Sequence, residues 1–218
     1  MQRDNEWGVS LRLESYARQL ARWPDSGRVI LAQHDDESVV VYQAFRPEIG
    51  LFAAEHGYFG GPFSLSRMSW IKTNFLWMMY RSGWGAKPGQ EVTLAVRIPK
   101  AAFDQILSIA VHSSFDPARY ADEVEWRELG RRAQVRLQWD PDHDPHGRPV
   151  PRRAIQLGLR GEVLQNYAKK WILDIQDISK LVSDQAMRLY SGKELILPRE
   201  EPYLVSNPAV AQHLGLES

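Results

Sequence analysis

The stretch RMSWIKTNFLWMMYRSGWG, residues 67–85, constrains the fold more than any other part of the chain. On a helical wheel its apolar and aromatic side chains cover almost the whole circumference. A helix that is apolar nearly all round is a buried helix. The pattern therefore predicts a buried, Trp/Met-rich helix from about Ser66 to Arg81, closed by Gly83.

Three cations interrupt this apolar stretch, namely Arg67, Lys72 and Arg81. A cation cannot be buried without a partner. Cations beside tryptophan rings, such as Trp84, are typical of a site for a ligand that carries both phosphate and a flat ring. A salt bridge to one of the 27 carboxylates is the alternative for each cation.

The rest of the chain alternates short helical and strand patterns, with no internal repeat. Strands are neither segregated from helices nor in strict alternation with them, which favours a mixed α+β domain. We expect a single compact domain, residues 1–218, with a mostly antiparallel sheet that is continuous or split. Residues 1–25 are predicted to form a helical extension, residues 161–192 one or two helices, and residues 198–218 a loosely held tail.

Composition excludes several classes of protein. The 218 residues include no cysteine, so disulfides, thiolate metal sites and a cysteine nucleophile are excluded. The opening residues lack an apolar signal core and no apolar run approaches a membrane span, so a cytoplasmic protein is expected. The chain carries no GxSxG, HExxH, P-loop or GxGxxG motif. A net charge of zero argues against a protein that holds a long nucleic acid.

The sequence QWDPDHDPHGRP, residues 138–149, places Asp140 at the end of a predicted strand and before a proline-rich loop. A rigid position of this kind suits a catalytic carboxylate. The spacing resembles the front of a calcium loop, but Pro145 and Pro151 stand where that loop needs glycine and glutamate. A looser metal site of Asp140, His143 and His146 is a further alternative to a hydrated loop.

The stretch VVVYQAFRP, residues 39–47, reads as a strand that leads into a helix. Gln43 inside this apolar strand needs hydrogen-bond partners, which a structural group or the amide of a ligand would supply. Arg46, just beyond the strand, is positioned to reach a phosphate.

Together, VVVYQAFRPEIG, RMSWIKTNFLWMMYRSGWG, VRLQWDPDHD and RAIQLGL resemble the family named domain of unknown function 4291. The similarity runs from about Val39 to Ile178. The order of elements is also similar, more remotely, to the front half of an ADP-ribosyltransferase-type fold.

That remote resemblance implies an NAD cleft, in which Tyr42 would stack on nicotinamide and Arg46 would contact the cofactor. The late glutamate of such enzymes has no clear counterpart here. Asp140 is the nearest carboxylate at a strand end, and Glu162 is a second candidate.

We therefore expect an NAD- or nucleotide-binding enzyme of ADP-ribosyltransferase type that acts on an unknown acceptor, for which a nucleic acid and a protein are the candidates. The alternatives are a module that binds single-stranded nucleic acid and an interaction protein without chemistry. Two residues are predicted to be catalytic, Asp140 and Tyr42. The predicted cofactor-binding residues are Gln43, Arg46, Arg67, Lys72, Arg81, Trp84 and Arg153.

Overall fold

A computed structural model describes residues 11–216 of the chain. The strands are β1 Leu13–Ser15, β2 Gly27–Arg28, β3 Leu31–Ala32, β4 Ser38–Phe45, β5 Ser69–Lys72, β6 Val92–Pro99, β7 Ala110–His112, β8 Val135–His143, β9 Pro149–Leu159, β10 Asp174–Asp177, β11 Ile196–Pro198 and β12 Glu201–Pro202. The helices are α1 Tyr16–Leu20, α2 Pro47–His56, α3 Phe75–Ser82, α4 Lys100–Ser108, α5 Glu123–Arg132, α6 Gly161–Lys169, α7 Ser179–Tyr190 and α8 Pro208–Leu214. The mixed α+β class and the single compact domain are confirmed.

One sheet organises the fold, with strand order β10-β6-β4-β5-β9-β8-β7. Its pairings are antiparallel up to β8, and β7 then joins β8 in parallel. Strand β2 runs parallel to the beginning of β9. Two small sheets, β1-β11 and β3-β12, connect the beginning of the described chain to its end. The expected, mostly antiparallel sheet is thus confirmed.

The two faces of this sheet differ in character because side chains alternate along each strand. The first face, which includes Val41, Ile71 and Leu157, packs into the larger core with helices α2, α4 and α6. The second face, which includes Tyr42 and Ala95, packs against α3, α7 and the β1-β11 segment. The second face becomes polar where it passes from β5 to β9 and β8.

The long helix predicted over residues 66–81 is wrong, because a strand occupies its first half. Residues 69–72 form β5 and pair with β9, and α3 begins only at Phe75. The Asn74 side chain caps α3 by accepting from the backbone N–H of Trp77 at 2.6 Å. The shorter helix is buried on most of its circumference, as expected.

The predictions for both ends of the chain also need correction. In the described part of residues 1–25, only Tyr16–Leu20 is helical, and β1 pairs with β11; residues 1–10 lie outside the described residues. The described part of the tail, residues 198–216, is anchored by the buried residues Glu200, Tyr203 and Leu214, while residues 206–209 are exposed; residues 217–218 lie outside the described residues. Short apolar anchors within a polar segment explain why composition alone suggested a loose tail.

The predicted proline-rich loop is a β-hairpin. Strand β8 continues to His143 and β9 begins at Pro149, with a register shift between Pro141 and His143. Such a bulge accommodates residues that cannot complete the hydrogen-bond ladder. Strand β10 likewise divides the stretch 161–192 that was predicted to be helical. No described helix is long and apolar enough to cross a membrane.

The packing of the C-terminal segment predicts that Tyr203→Ala lowers the free energy of unfolding by about 3–5 kcal/mol, the usual loss for a buried aromatic side chain. The Tyr203 ring packs edge-on against Phe103, and its hydroxyl donates to Asp104 Oδ1 at 2.5 Å. Urea denaturation followed by tryptophan fluorescence measures the change. Leu204→Ala is the control, since Leu204 is 81% exposed. Equal losses in the two variants would contradict the packed tail.

Candidate functional site

A row of polar side chains crosses the second face of the sheet from strand to strand. Tyr42 pairs with Lys72, Lys72 with Gln156, and Gln156 with Gln138. Residues that pair directly on neighbouring strands project to the same face. Lys72, Gln156 and Gln138 therefore lie side by side across β5, β9 and β8. Asp140 is on the same face, two residues beyond Gln138.

The Asp140 carboxylate is held by two amides. Gln138 Nε2 donates to Oδ1 at 2.8 Å, and Gln156 Nε2 donates to Oδ2 at 2.6 Å. Both donors are neutral amides, and together they fix the orientation of the carboxylate. Asp140 is only half-buried. The fold therefore presents an oriented carboxylate that keeps contact with solvent.

Lys72 lies beside this carboxylate in a more buried position, with only 6% of the residue exposed. Burial is the main reason why its pKa falls from 10.5 to about 8; the positive charge of Arg81 lowers it further, and Asp140 opposes the shift. Among residues 11–216, no acceptor lies within hydrogen-bond distance of its ammonium. A buried cation without such an acceptor favours the binding of an anion. We call Lys72, Gln138, Asp140 and Gln156 the Lys72–Asp140 cluster.

Trp70 and Gly158 border the cluster. They pair across β5 and β9, and a Cβ atom at Gly158 would lie 3.0 Å from two atoms of the indole ring. It would also lie 2.5 Å from Met68 Sδ. Glycine is needed here because the ring lies against the backbone of β9. Trp70 is half-buried, so part of this ring remains accessible beside Lys72.

A family model described as domain of unknown function (DUF4291) matches residues 29–203. The chain belongs to the DUF4291 family. The predicted family membership is thereby confirmed, over a longer range than residues 39–178. Comparison with curated proteins finds no match. The likeness to ADP-ribosyltransferase-type folds stays a prediction.

The DUF4291 domain brings together three of the predicted site residues: Lys72, Asp140 and Arg81. Arg81 is an exposed residue near the end of α3, close enough to affect the pKa of Lys72. Gln138 and Gln156 were not predicted. The signal that could have found them is a glutamine in the middle of an apolar, alternating strand, which occurs in both VRLQWD and RAIQLGL.

Tyr42 and Gln43 have structural surroundings. Tyr42 is fully buried under α3, where its ring meets Phe75 edge-on, so it is closed to a ligand in this structure. Burial, followed by the charge of Glu200, raises its pKa well above 10. Gln43 points to the first face, where its Oε1 accepts from Tyr167 at 2.7 Å and its Nε2 donates to Ser69 at 2.8 Å. These contacts satisfy both ends of the amide.

The remaining predicted residues lie away from the cluster or at its edge. Arg46 is exposed and pairs with Glu48, and Arg67 is exposed in the segment before β5. Trp84 donates its indole N–H to the carbonyl of Pro145 and lines a separate cavity of ≈ 280 Å³. Arg153 projects from the face of β9 opposite to that of Gln156, and it lines a different cavity.

The alternative metal site does not form among the described residues, where no group of three candidate ligands converges. The His143 ring is instead stacked on Tyr80, with 3.6 Å between ring centroids, and also on Trp77. Glu162, the second candidate carboxylate, begins helix α6, on whose inner side Val163 and Leu164 contribute to the core of the first face. Asp140 is thus the carboxylate that the cluster presents.

The lowered pKa of Lys72 predicts a pH-dependent stability difference between the wild type and Lys72→Met. Between about pH 8 and 10.5 the unfolded lysine still holds a proton that the folded lysine has lost. Because the unfolded state binds more protons there, raising the pH stabilises the wild type, by up to about 3 kcal/mol across this window.

Urea denaturation at intervals from pH 7 to 11 measures this difference. Subtracting the Lys72→Met curve removes the contribution of the tyrosines, which titrate in both proteins. Lys170→Met, at an exposed lysine, is the control and should follow the wild type. A wild-type curve parallel to that of Lys72→Met would show that Lys72 titrates normally.

Proposed function

We propose that this DUF4291 protein is an enzyme that binds a nucleotide-type ligand, with NAD as the first candidate, at the Lys72–Asp140 cluster. The observation that carries the proposal is the fixed, half-exposed Asp140 carboxylate beside Lys72, a residue that is 6% exposed and whose ammonium has no hydrogen-bond acceptor among the described residues. A titratable group whose pKa is lowered by burial, beside a specific charged partner, is a candidate for a functional site.

Two cations support recognition of phosphate. Lys72 supplies a buried point charge, and Arg81 supplies a guanidinium at the surface that can bind an oxyanion through two N–H groups. Their mutual repulsion is one cause of the lowered pKa of Lys72. A diphosphate between them would relieve this repulsion, and binding would therefore be coupled to protonation of Lys72.

Asp140 suits the electrostatic role that the transferase hypothesis requires. As nicotinamide leaves, positive charge develops on the ribose, and a preorganised carboxylate stabilises that charge without having to reorient. The amides of Gln138 and Gln156 supply this preorganisation. Because Tyr42 is buried, the stacking role passes in this proposal to the accessible part of Trp70.

Binding of single-stranded nucleic acid has weaker support. That hypothesis needs a stripe of available arginines beside aromatic rings. Arg131 and Arg132 instead pair with Glu128. Arg148 pairs with Asp144, and Arg152 is buried in an ion pair.

The first experiment is a thermal melt of the wild type with NAD, with ADP-ribose and with a short single-stranded RNA. A ligand that binds only the native state raises the midpoint. We expect a rise with NAD and with ADP-ribose. A rise with RNA alone would replace the enzyme proposal with the nucleic-acid alternative. No rise with any of them would favour the interaction protein.

If the proposal holds, Asp140→Asn lowers the rate of nicotinamide release by at least about 100-fold, the usual effect of removing one preorganised electrostatic group. The fold should persist, since asparagine has nearly the same shape and keeps one acceptor. Release is measured by chromatography, and the melting midpoint serves as the check on folding. Asp184→Asn, which removes a surface carboxylate paired with Lys180, is the control. Full activity in Asp140→Asn would remove Asp140 from the mechanism.

A further inference from the structure

Two arginines lie side by side where β2 joins β9. The parallel register pairs Gly27 with Arg152 and Arg28 with Arg153. Arg28 and Arg153 therefore project to the same side of the sheet, and both line the same cavity. Like charges directly opposite each other on neighbouring strands are destabilising.

A third guanidinium converges on the same place. A Cβ atom at Gly215, just beyond α8, would collide with both Arg28 Nη1 and Arg119 Nη2. Arg119 is fixed there because its Nε donates to the carbonyl of His213 at 3.1 Å and its Nη1 pairs with Asp116. Arg28 and Arg119 thus meet above Gly215.

These three arginines line an open groove of ≈ 870 Å³. Arg28 and Arg153 also line an adjoining cavity of ≈ 340 Å³, which contains His112, Ser113 and Asp116. We call the two cavities together the arginine groove. Its size is sufficient for a drug-sized ligand, and its polar side chains lie around a common space.

The charge of the groove is positive. Asp116 is the carboxylate among its described lining residues, and it is paired with Arg119. His112 is buried, which lowers its pKa, and the charges of Arg119 and Arg28 lower it further. Arg153 is exposed, and its side chain has no hydrogen bond or ion pair within residues 11–216. Among the described residues that line the groove, Arg153 therefore offers a guanidinium to a ligand, and Asp116 is the single carboxylate.

We propose that the arginine groove is a second ligand site that binds a phosphate-bearing small molecule. Arginine suits this task because its planar guanidinium binds phosphate oxygens through two parallel hydrogen bonds. Ser113 and Ser114, which line the smaller cavity of the groove, add hydroxyl donors. Arg153 and Gln156 project from opposite faces of β9, and Gln138 is the residue of the Lys72–Asp140 cluster that also lines the groove.

The test is calorimetric titration of the full chain with inorganic pyrophosphate at constant ionic strength. We expect Arg153→Gln to weaken binding at least about tenfold, the effect of losing one charge-assisted hydrogen-bonding group. Arg153 is exposed, so this variant should fold normally. Arg18→Gln, at an exposed arginine of α1, is the matched control and should bind like the wild type.

Lys72→Met separates the two sites, because it removes pyrophosphate binding between Lys72 and Arg81. In the Lys72→Met background we expect binding to remain, and we expect the added Arg153→Gln change to weaken it at least about tenfold. The proposal is overturned if no binding remains in the Lys72→Met background, or if Arg153→Gln has no effect there. Heat of the same size from sodium chloride at matched ionic strength would also overturn it, since charge screening would then explain the signal.

Discussion

The antiparallel pairing of β5 with β9 is the constraint on which the site depends. It sets Lys72 against Gln156 on the second face and Ile71 against Leu157 on the first. A slip of one residue would exchange the faces and put Lys72 into the larger core. Ile71 and Leu157 are at most 1% exposed, and burial of each contributes roughly 1.5–3 kcal/mol. The apolar residues of the first face therefore fix the geometry of the polar residues on the second.

The buried ionisable side chains on the second face differ in whether the protein supplies them with a hydrogen-bond or ion-pair partner. Arg152 and Asp142 form an ion pair at 2.7 Å, and the ring of Trp23 covers the guanidinium. Glu200 accepts from the backbone N–H of Phe75 at 2.6 Å, and burial raises its pKa well above the usual range. Lys72 receives no comparable contact, although charge burial without a partner is costly. The described structure does not offset the free-energy cost of burying Lys72, and a bound anionic ligand would offset it.

How much of this could be read from the sequence depends on the range of the interactions involved. The strand VVVYQAF was recognised, because its signal is local. Lys72 and Asp140 were identified individually for the same reason. The strand at Ser69–Lys72 was missed, since its tryptophan and neighbouring methionines mimic the pattern of a buried helix. Its conformation is set by pairing with Gly158 and Leu159, almost 90 positions away.

The cluster itself was beyond prediction for a related reason. Gln138 and Gln156 meet Asp140 only through the register of the β8-β9 hairpin, and its prolines suggested a loop instead. The register shift after Pro141 is the local feature that reconciles those prolines with a strand. Tyr42 shows the opposite error. Its position in a strand was predicted correctly, and its ligand role was inferred from the remote resemblance. Its burial under α3 depends on tertiary packing, which that resemblance did not provide.

Strand β9 joins the two candidate sites while keeping them chemically separate. Its even positions carry Gln156 and Gly158 toward the Lys72–Asp140 cluster, and its odd position 153 carries an arginine toward the arginine groove. The pleat alone makes this division, because adjacent residues point to opposite faces. A side chain of β9 cannot contact ligands at both faces. Communication between the sites therefore passes through the position of the β9 backbone or through Gln138 of β8, which belongs to the cluster and also lines the groove. That backbone is held by β5, β8 and β2 together, which makes it a rigid support rather than a moving part. The architecture therefore favours two sites that bind independently.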